Sequence, residues 1–211
     1  MQNSGAPLPS GVVAVEWLEV LSDDGLADIT TEYRPSGLDN DIYIGFRFIG
    51  FRDGSNRSSF FHNYTGNDTG RRFMMNQSLN TPNKVLVYNG SVVNETPNTS
   101  VTLVQNTEYS VEFHNETKNV IVNGQSFSAV NSSNTEDRGN PLHILGAWSE
   151  EAKYNPHIYL YYFKWVKAGV RVLDLVPVRV GDEGFMYDRV SGRLFGNSGT
   201  GRFVVGPDVI L

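Results

Sequence analysis

Paired carboxylates, histidine clusters and activated hydroxyls are the residue sets from which this chain could build a reaction centre. Hydrolysis of a glycosidic bond with retention needs two carboxyl groups about 5 to 5.5 Å apart, one as nucleophile and one as general acid. The close acidic pairs are Glu16 with Glu19, Asp23-Asp24, Asp39 with Asp41, Glu136-Asp137, Glu150-Glu151 and Asp182-Glu183. Glu16 and Glu19 are an odd number of residues apart, so a strand would send them to opposite faces. The other pairs sit in Gly- or Asn-rich stretches, where carboxylates are ordinarily solvated. The histidines, His62, His114, His143 and His157, are isolated in sequence and show no His-X-X-X-His spacing of a zinc site. No Gly-X-Ser-X-Gly nucleophile turn occurs, and Gly196-Asn197-Ser198-Gly199-Thr200-Gly201 lacks the Lys and the following helix of a phosphate loop. Asp39-Asn40-Asp41 offers hard oxygen ligands for calcium, but such clusters in turns are usually solvated, and a strand beginning at Asp41 would direct neighbouring side chains apart. The expectation is a protein with no catalytic centre, no metal and no cofactor.

Recognition of a sugar needs less: an aromatic platform for the ring, with amides, carboxylates or Arg for the hydroxyls. Trp148, Tyr154 and Asn155, in GAWSEEAKYNP, form the best such group, and Tyr64 with Arg72, in FFHNYTGNDTGRRF, forms a second. The structural alternative makes Trp148 a cap on the core and Tyr154 a cover for a sheet edge. Trp17 and Trp165 read as core or sheet-face residues. The net charge of -6, from 17 Lys+Arg against 23 Asp+Glu, provides no basic field for nucleic acid. No apolar run reaches the roughly 18 residues needed to cross a bilayer. With no cysteine, disulfides and thiolate chemistry are excluded. Asn-X-Ser/Thr occurs at Asn56, Asn63, Asn67, Asn76, Asn89, Asn94, Asn98, Asn115 and Asn131. This reads as turn composition rather than glycosylation, because the N-terminal MQNSGAPLPSG has neither the basic start nor the apolar region of a secretory signal.

The elements that must carry these residues alternate apolar and polar. In Asp41–Phe51, Ile42, Ile44, Phe46 and Phe48 fall on one face and Tyr43, Gly45 and Arg47 on the other. Further strands are predicted over Val12–Val20, Ser58–Tyr64, Arg72–Asn76, Lys84–Tyr88, Ser100–Val104, Glu108–His114, Asn119–Val122, Leu142–Trp148 and His157–Lys167. Asn123-Gly124 supplies the two positive φ angles of a type I′ hairpin, and Asn89-Gly90 and Ser191-Gly192 read likewise. Asn115 to Lys118 reads as another hairpin. With no amphipathic helix and no fixed repeat, the expectation is one all-β domain over 1–211, two antiparallel sheets face to face, with residues 1–10 a flexible arm.

The C-terminal LVPVRVGDEGFMYDRVSGRLFGNSGTGRFVVGPD, dense in glycine turns, together with LPSGVVAVEWLEV near the N-terminus, resembles the concanavalin A-like lectin/glucanase (LamG-like) domains of gut-bacterial surface proteins and phage virion proteins. The resemblance implies a jelly-roll sandwich and places Tyr187 and Asp188 in a structural hairpin. The β-glucan hydrolases of that fold carry Glu-X-Asp-X-X-Glu, which this chain lacks. The implied function is a non-catalytic module on a virion or cell surface, capable of homo-oligomerisation, whose partner is a cell-surface glycan. The alternative is a structural virion component, such as a capsid decoration, head fibre or tail protein, that docks protein and binds no sugar.

Overall fold

The structure, a computed structural model, describes residues 7–21, 28–37, 39–50, 59–63, 72–77, 85–90, 101–117, 119–128, 130–131, 140–145, 157–199 and 201–210. Its strands are β1 (Val12–Ala14), β2 (Leu18–Leu21), β3 (Ile29–Thr30), β4 (Asn40–Gly50), β5 (Ser59–His62), β6 (Arg72–Gln77), β7 (Val85–Gly90), β8 (Thr107–His114) and β9 (Asn119–Val122). They continue with β10 (Gln125–Ser128), β11 (Val130–Asn131), β12 (His143–Ile144), β13 (His157–Lys167), β14 (Val170–Val180), β15 (Glu183–Asp188), β16 (Leu194–Phe195) and β17 (Arg202–Val205). No helix occurs among the described residues, and the strands form two packed sheets, the expected all-β sandwich.

The larger sheet runs β10-β9-β8-β4-β13-β14-β15-β16, with β1, β2 and β17 attached, and the smaller runs β11-β7-β6-β5-β12-β3. Described strands pair antiparallel except β11, which lies parallel to β7. Alternation builds the core. Ile42, Ile44, Phe46 and Phe48 of β4, Leu160, Phe163 and Trp165 of β13 and Val111 and Phe113 of β8 are buried on the inner face. Phe60 and Phe61 of the smaller sheet meet them, with ring centroids 4.9 Å apart for Phe46–Phe60 and 5.8 Å for Phe61–Phe163. Trp165 is wholly inside, its indole N–H donating to Asn40 Oδ1 at 3.0 Å.

Beside β13 the larger sheet forks. One half of β13 pairs β14 and the other half pairs β2. From there β14 continues with β1 and β15, while β2 continues with β17. A Cβ on Gly184 of β15 would lie 2.8 Å from Leu18 Cδ1 and 2.9 Å from Val205 Cγ1, so the two branches close on one another with glycine at a point of close approach. Strands from opposite ends of the chain thus pack together, and Val15 bridges Asp208.

Several local expectations are corrected. Val12–Val20 is two strands, interrupted at residues 15–17, because its first part pairs β14 and its second pairs β13 and β17. Residues 101–104 belong to no strand; Leu103 is buried and the Val104 N–H donates to the Tyr109 hydroxyl at 2.8 Å. Of the strand expected over Leu142–Trp148, the described part is strand at His143–Ile144 and leaves the ladder at Leu145, which takes a φ of 63°; residues 146–148 lie outside the described residues. Asn89 and Gly90 are ladder residues of β7, opposite Phe73 and Arg72. At Ser191-Gly192 only Gly192 has positive φ, 74°, and the turn spans residues 189–193 with its N–H groups on Asp188. Asn123 and Gly124 do both take positive φ, at 48° and 82°. Ala168 and Gly169 make the same kind of turn between β13 and β14, unforeseen because alanine is not a turn signal.

Candidate functional site

Of the predicted recognition residues, Trp148, Tyr154, Asn155 and Tyr64 lie outside the described residues. Of Arg72 only the backbone is described, opening β6 opposite Gly90. The described residues bring a different set together, on the outer face of the larger sheet.

Alternation that buries one face of β4, β8 and β13 must turn the other to water. Register then sets three rungs across these strands: Tyr159–Arg47–Glu108, Tyr162–Gly45–Ser110 and Lys164–Tyr43–Glu112. Two departures from regularity shape the middle rung. Between Leu160 and Tyr162 the register slips, so Tyr161 is an extra residue with no partner position on β4. A bulge re-aims side chains, and Tyr161 joins Tyr162 around a cleft of about 390 Å³ whose walls include Glu108, Ser110 and Asn123. The second departure is Gly45, inside an otherwise side-chain-rich strand. A Cβ there would lie 2.2 Å from Tyr162 Cε1, so the missing side chain is what lets the tyrosine ring lie down on the sheet.

Hydrogen bonds hold both rings. The Tyr162 hydroxyl is 3.0 Å from Ser110 Oγ. The Tyr161 hydroxyl donates to Glu108 Oε1 at 3.0 Å, and Arg47 Nη2 donates to the same oxygen at 2.7 Å. Arg47 first, and Tyr161 second, hold the Glu108 carboxyl below its ordinary range. Burial chiefly, with Glu108 adding to it, pushes the Tyr161 phenol up. Asn123, at the β9–β10 turn, accepts from the Ser110 N–H at 2.8 Å and donates to the Glu108 carbonyl at 3.2 Å, which pins that turn beside the cleft. The Lys164 ammonium stands 5.0 Å from the Tyr162 ring centre. Trp17 extends the aromatic surface, stacked on Tyr159 at 4.0 Å and 7°. The indole also lies close to Gly206, whose Cβ would fall 2.6 Å from it.

Other polar groups are committed to the fold. The histidines isolated in sequence are not isolated in space: His62 and His143 stack with centroids 5.0 Å apart, and His143 Nδ1 lies 2.7 Å from Asp28 Oδ2. Ser198 Oγ donates to the Asp28 carbonyl at 2.9 Å and meets Thr30 Oγ1 at 2.8 Å, and Thr30 Oγ1 in turn lies 3.3 Å from His143 Nδ1, the same nitrogen that faces Asp28. Together these residues fasten β3, β12 and the 196–199 turn. Asn40 of the Asp-Asn-Asp run is fully buried and spends its amide on the Ser36 and Gly37 carbonyls and on Trp165. A larger groove, about 740 Å³, runs between Asp182–Phe185 and Arg202–Val205. Its one amide, Asn197, accepts from the Asp28 and Gly199 N–H groups and donates to the Gly199 and Gly201 carbonyls, so it serves the fold, while Asp182, Glu183 and Arg202 also line the groove.

No protein-family model and no curated protein matches the chain. The outer-face site was nevertheless signalled in the sequence by two breaks in pattern: Tyr161-Tyr162, where alternation calls for one outward residue, and Gly45 between β-forming neighbours.

Proposed function

We propose that the chain is a non-catalytic, concanavalin A-like recognition module that binds glycans on the outer face of its larger sheet. The observation that carries this reading is the Tyr161/Tyr162 platform. A bulge and a glycine together hold two aromatic rings on a solvent-facing surface, their hydroxyls fixed by Ser110 and Glu108. Rings fixed before binding lose little rotamer freedom when a sugar stacks on them. Glu108, Asn123 and Ser110 supply hydrogen-bonding groups for hydroxyls.

The absence of catalysis is part of the proposal. A glycosidase acid must hold its proton near neutrality, through a raised pKa. Glu108 is shifted the other way by Arg47. Its neighbour along the strand face, Glu112, is four residues on, roughly 13 Å of extended backbone. The proposed setting is display in many copies on a phage virion or a bacterial surface, where weak sites add by avidity.

A glycan array probed with wild type, Tyr161→Ala and Tyr162→Ala tests the reading. Binding by wild type that both variants lose, with unfolding midpoints near wild type, supports it. A protein that binds no glycan yet co-purifies with a capsid or tail protein is a structural component instead.

A further inference from the structure

We infer that the glycan bound on Tyr162 is acidic, a uronate or sialate, whose carboxylate is taken up by Lys164; this rests on the outer face being a sugar platform. Lys164 and Tyr162 are neighbours on the outer side of β13, and the ammonium stands 5.0 Å from the ring centre. A sugar that stacks on this ring must compete with the ammonium for it. An exposed cation–π contact is weak, worth about a two- to fivefold factor. A neutral sugar would lose that factor with nothing in return, whereas a carboxylate gives the displaced ammonium a new partner.

The surroundings leave Lys164 free for that role. Its cross-strand neighbour is Asp174. That carboxylate is nearly buried and already held by two guanidinium groups, Arg171 at 2.9 Å and Arg189 at 3.0 Å. Asp188, beneath, is fully buried, and its oxygens accept from the N–H groups of Asp174, Val190 and Ser191. On the other side, across Tyr43, Glu112 is 3.3 Å from His114 Nε2. Among the described residues Lys164 makes no ion pair of its own. The platform is therefore polarised: Lys164 stands on its β13–β14 side, where the carboxylate of Asp174 is already matched by Arg171 and Arg189, while Glu108, Ser110 and Asn123 stand on its β8–β9 side. A sugar carboxylate would point to the first and its hydroxyls to the second.

Calorimetric titration with two matched pairs tests this: polygalacturonate against its methyl ester, and sialyllactose against lactose. In about 20 mM salt the wild type should bind the acidic member of at least one pair about fivefold tighter than its neutral partner, the upper range of an exposed ion pair. That preference should fade in about 0.5 M salt, where the screening length is only a few ångströms. Lys164→Gln should equalise the pair without abolishing binding, and Tyr162→Ala should abolish both. Equal binding of acidic and neutral members by wild type, or an unchanged preference in Lys164→Gln, overturns the charge assignment and leaves the platform standing. Binding to neither pair by folded wild type, with Tyr162→Ala indistinguishable from it on a glycan array, overturns the platform and this inference with it.

Discussion

The two faces of the β4–β13 pair share one backbone and differ in what their side chains accomplish. Inward, Ile42, Ile44, Phe46, Leu160, Phe163 and Trp165 are at most 1% exposed, and they close against the smaller sheet. Outward, Tyr43, Arg47, Tyr161, Tyr162 and Lys164 remain half-exposed. The inner face is held by burial of apolar area, which tolerates no gaps. The outer face is held by hydroxyl and guanidinium hydrogen bonds in contact with water, each a small net term. Aromatic rings fixed in place where the core has no need of them are the observation on which the proposed ligand surface rests.

The largest expected effect separates the faces by truncation. Phe46→Ala should lower unfolding free energy by about 3 to 5 kcal/mol, the range for a buried phenylalanine. Tyr162→Ala should lower it by about 1 kcal/mol or less, since half-exposed sites lack a cavity term. Urea unfolding measures both, and equal losses would make Tyr162 a core residue.

Two glycines give a second contrast. Neither Gly45 nor Gly184 has a positive φ, so alanine meets only steric resistance. In Gly184→Ala the new Cβ would meet Leu18, Val205 and Phe203 within 2.8 to 3.0 Å, between two packed branches. Overpacking there should cost about 1 to 3 kcal/mol. In Gly45→Ala the obstacle is the Tyr162 ring, which can swing outward, so stability should change by no more than about 1 kcal/mol while glycan binding is lost. A large loss of stability in Gly45→Ala would show that the ring belongs to the fold.

Deleting Tyr161 should be tolerated, because its removal restores the in–out order of Leu160, Tyr162 and Phe163. The deletion variant should fold, with an unfolding midpoint close to wild type, and should lose part of the platform. If it unfolds, the bulge is a requirement of the sheet rather than of the site.

The smallest effect is electrostatic. With its folded pKa depressed by Arg47, Glu108 adds stability above the ordinary glutamate range, and that contribution disappears as pH falls through the lowered value. A carboxyl NMR titration should place its midpoint below 4.5, the ordinary value, and Arg47→Gln should return it toward that value. An unshifted midpoint in wild type would mean that the Arg47–Glu108 bridge does not persist in solution.

Alternation in Asp41–Phe51 and in His157–Lys167, the Asn123-Gly124 turn and the absence of helical periodicity were enough to foresee an all-β sandwich with Phe46 inside and Arg47 outside. These signals are local: a strand's inward face follows from its own period of two, and a type I′ turn from the residues that tolerate positive φ. Which strands become neighbours is not local. The rungs that set Tyr162 beside Gly45 and Ser110 join residues up to 117 positions apart in the chain, a separation that no window of sequence spans. His62 and His143 look solitary for the same reason, and meet only because β5 and β12 pair. The sequence by itself determined the fold class, the inner and outer sides of each long strand and the positions where the chain could turn. Tertiary structure alone decided that a tyrosine doublet and a glycine would meet to make a platform, because cross-strand register depends on packing the whole core at once and a single extra residue shifts every contact beyond it.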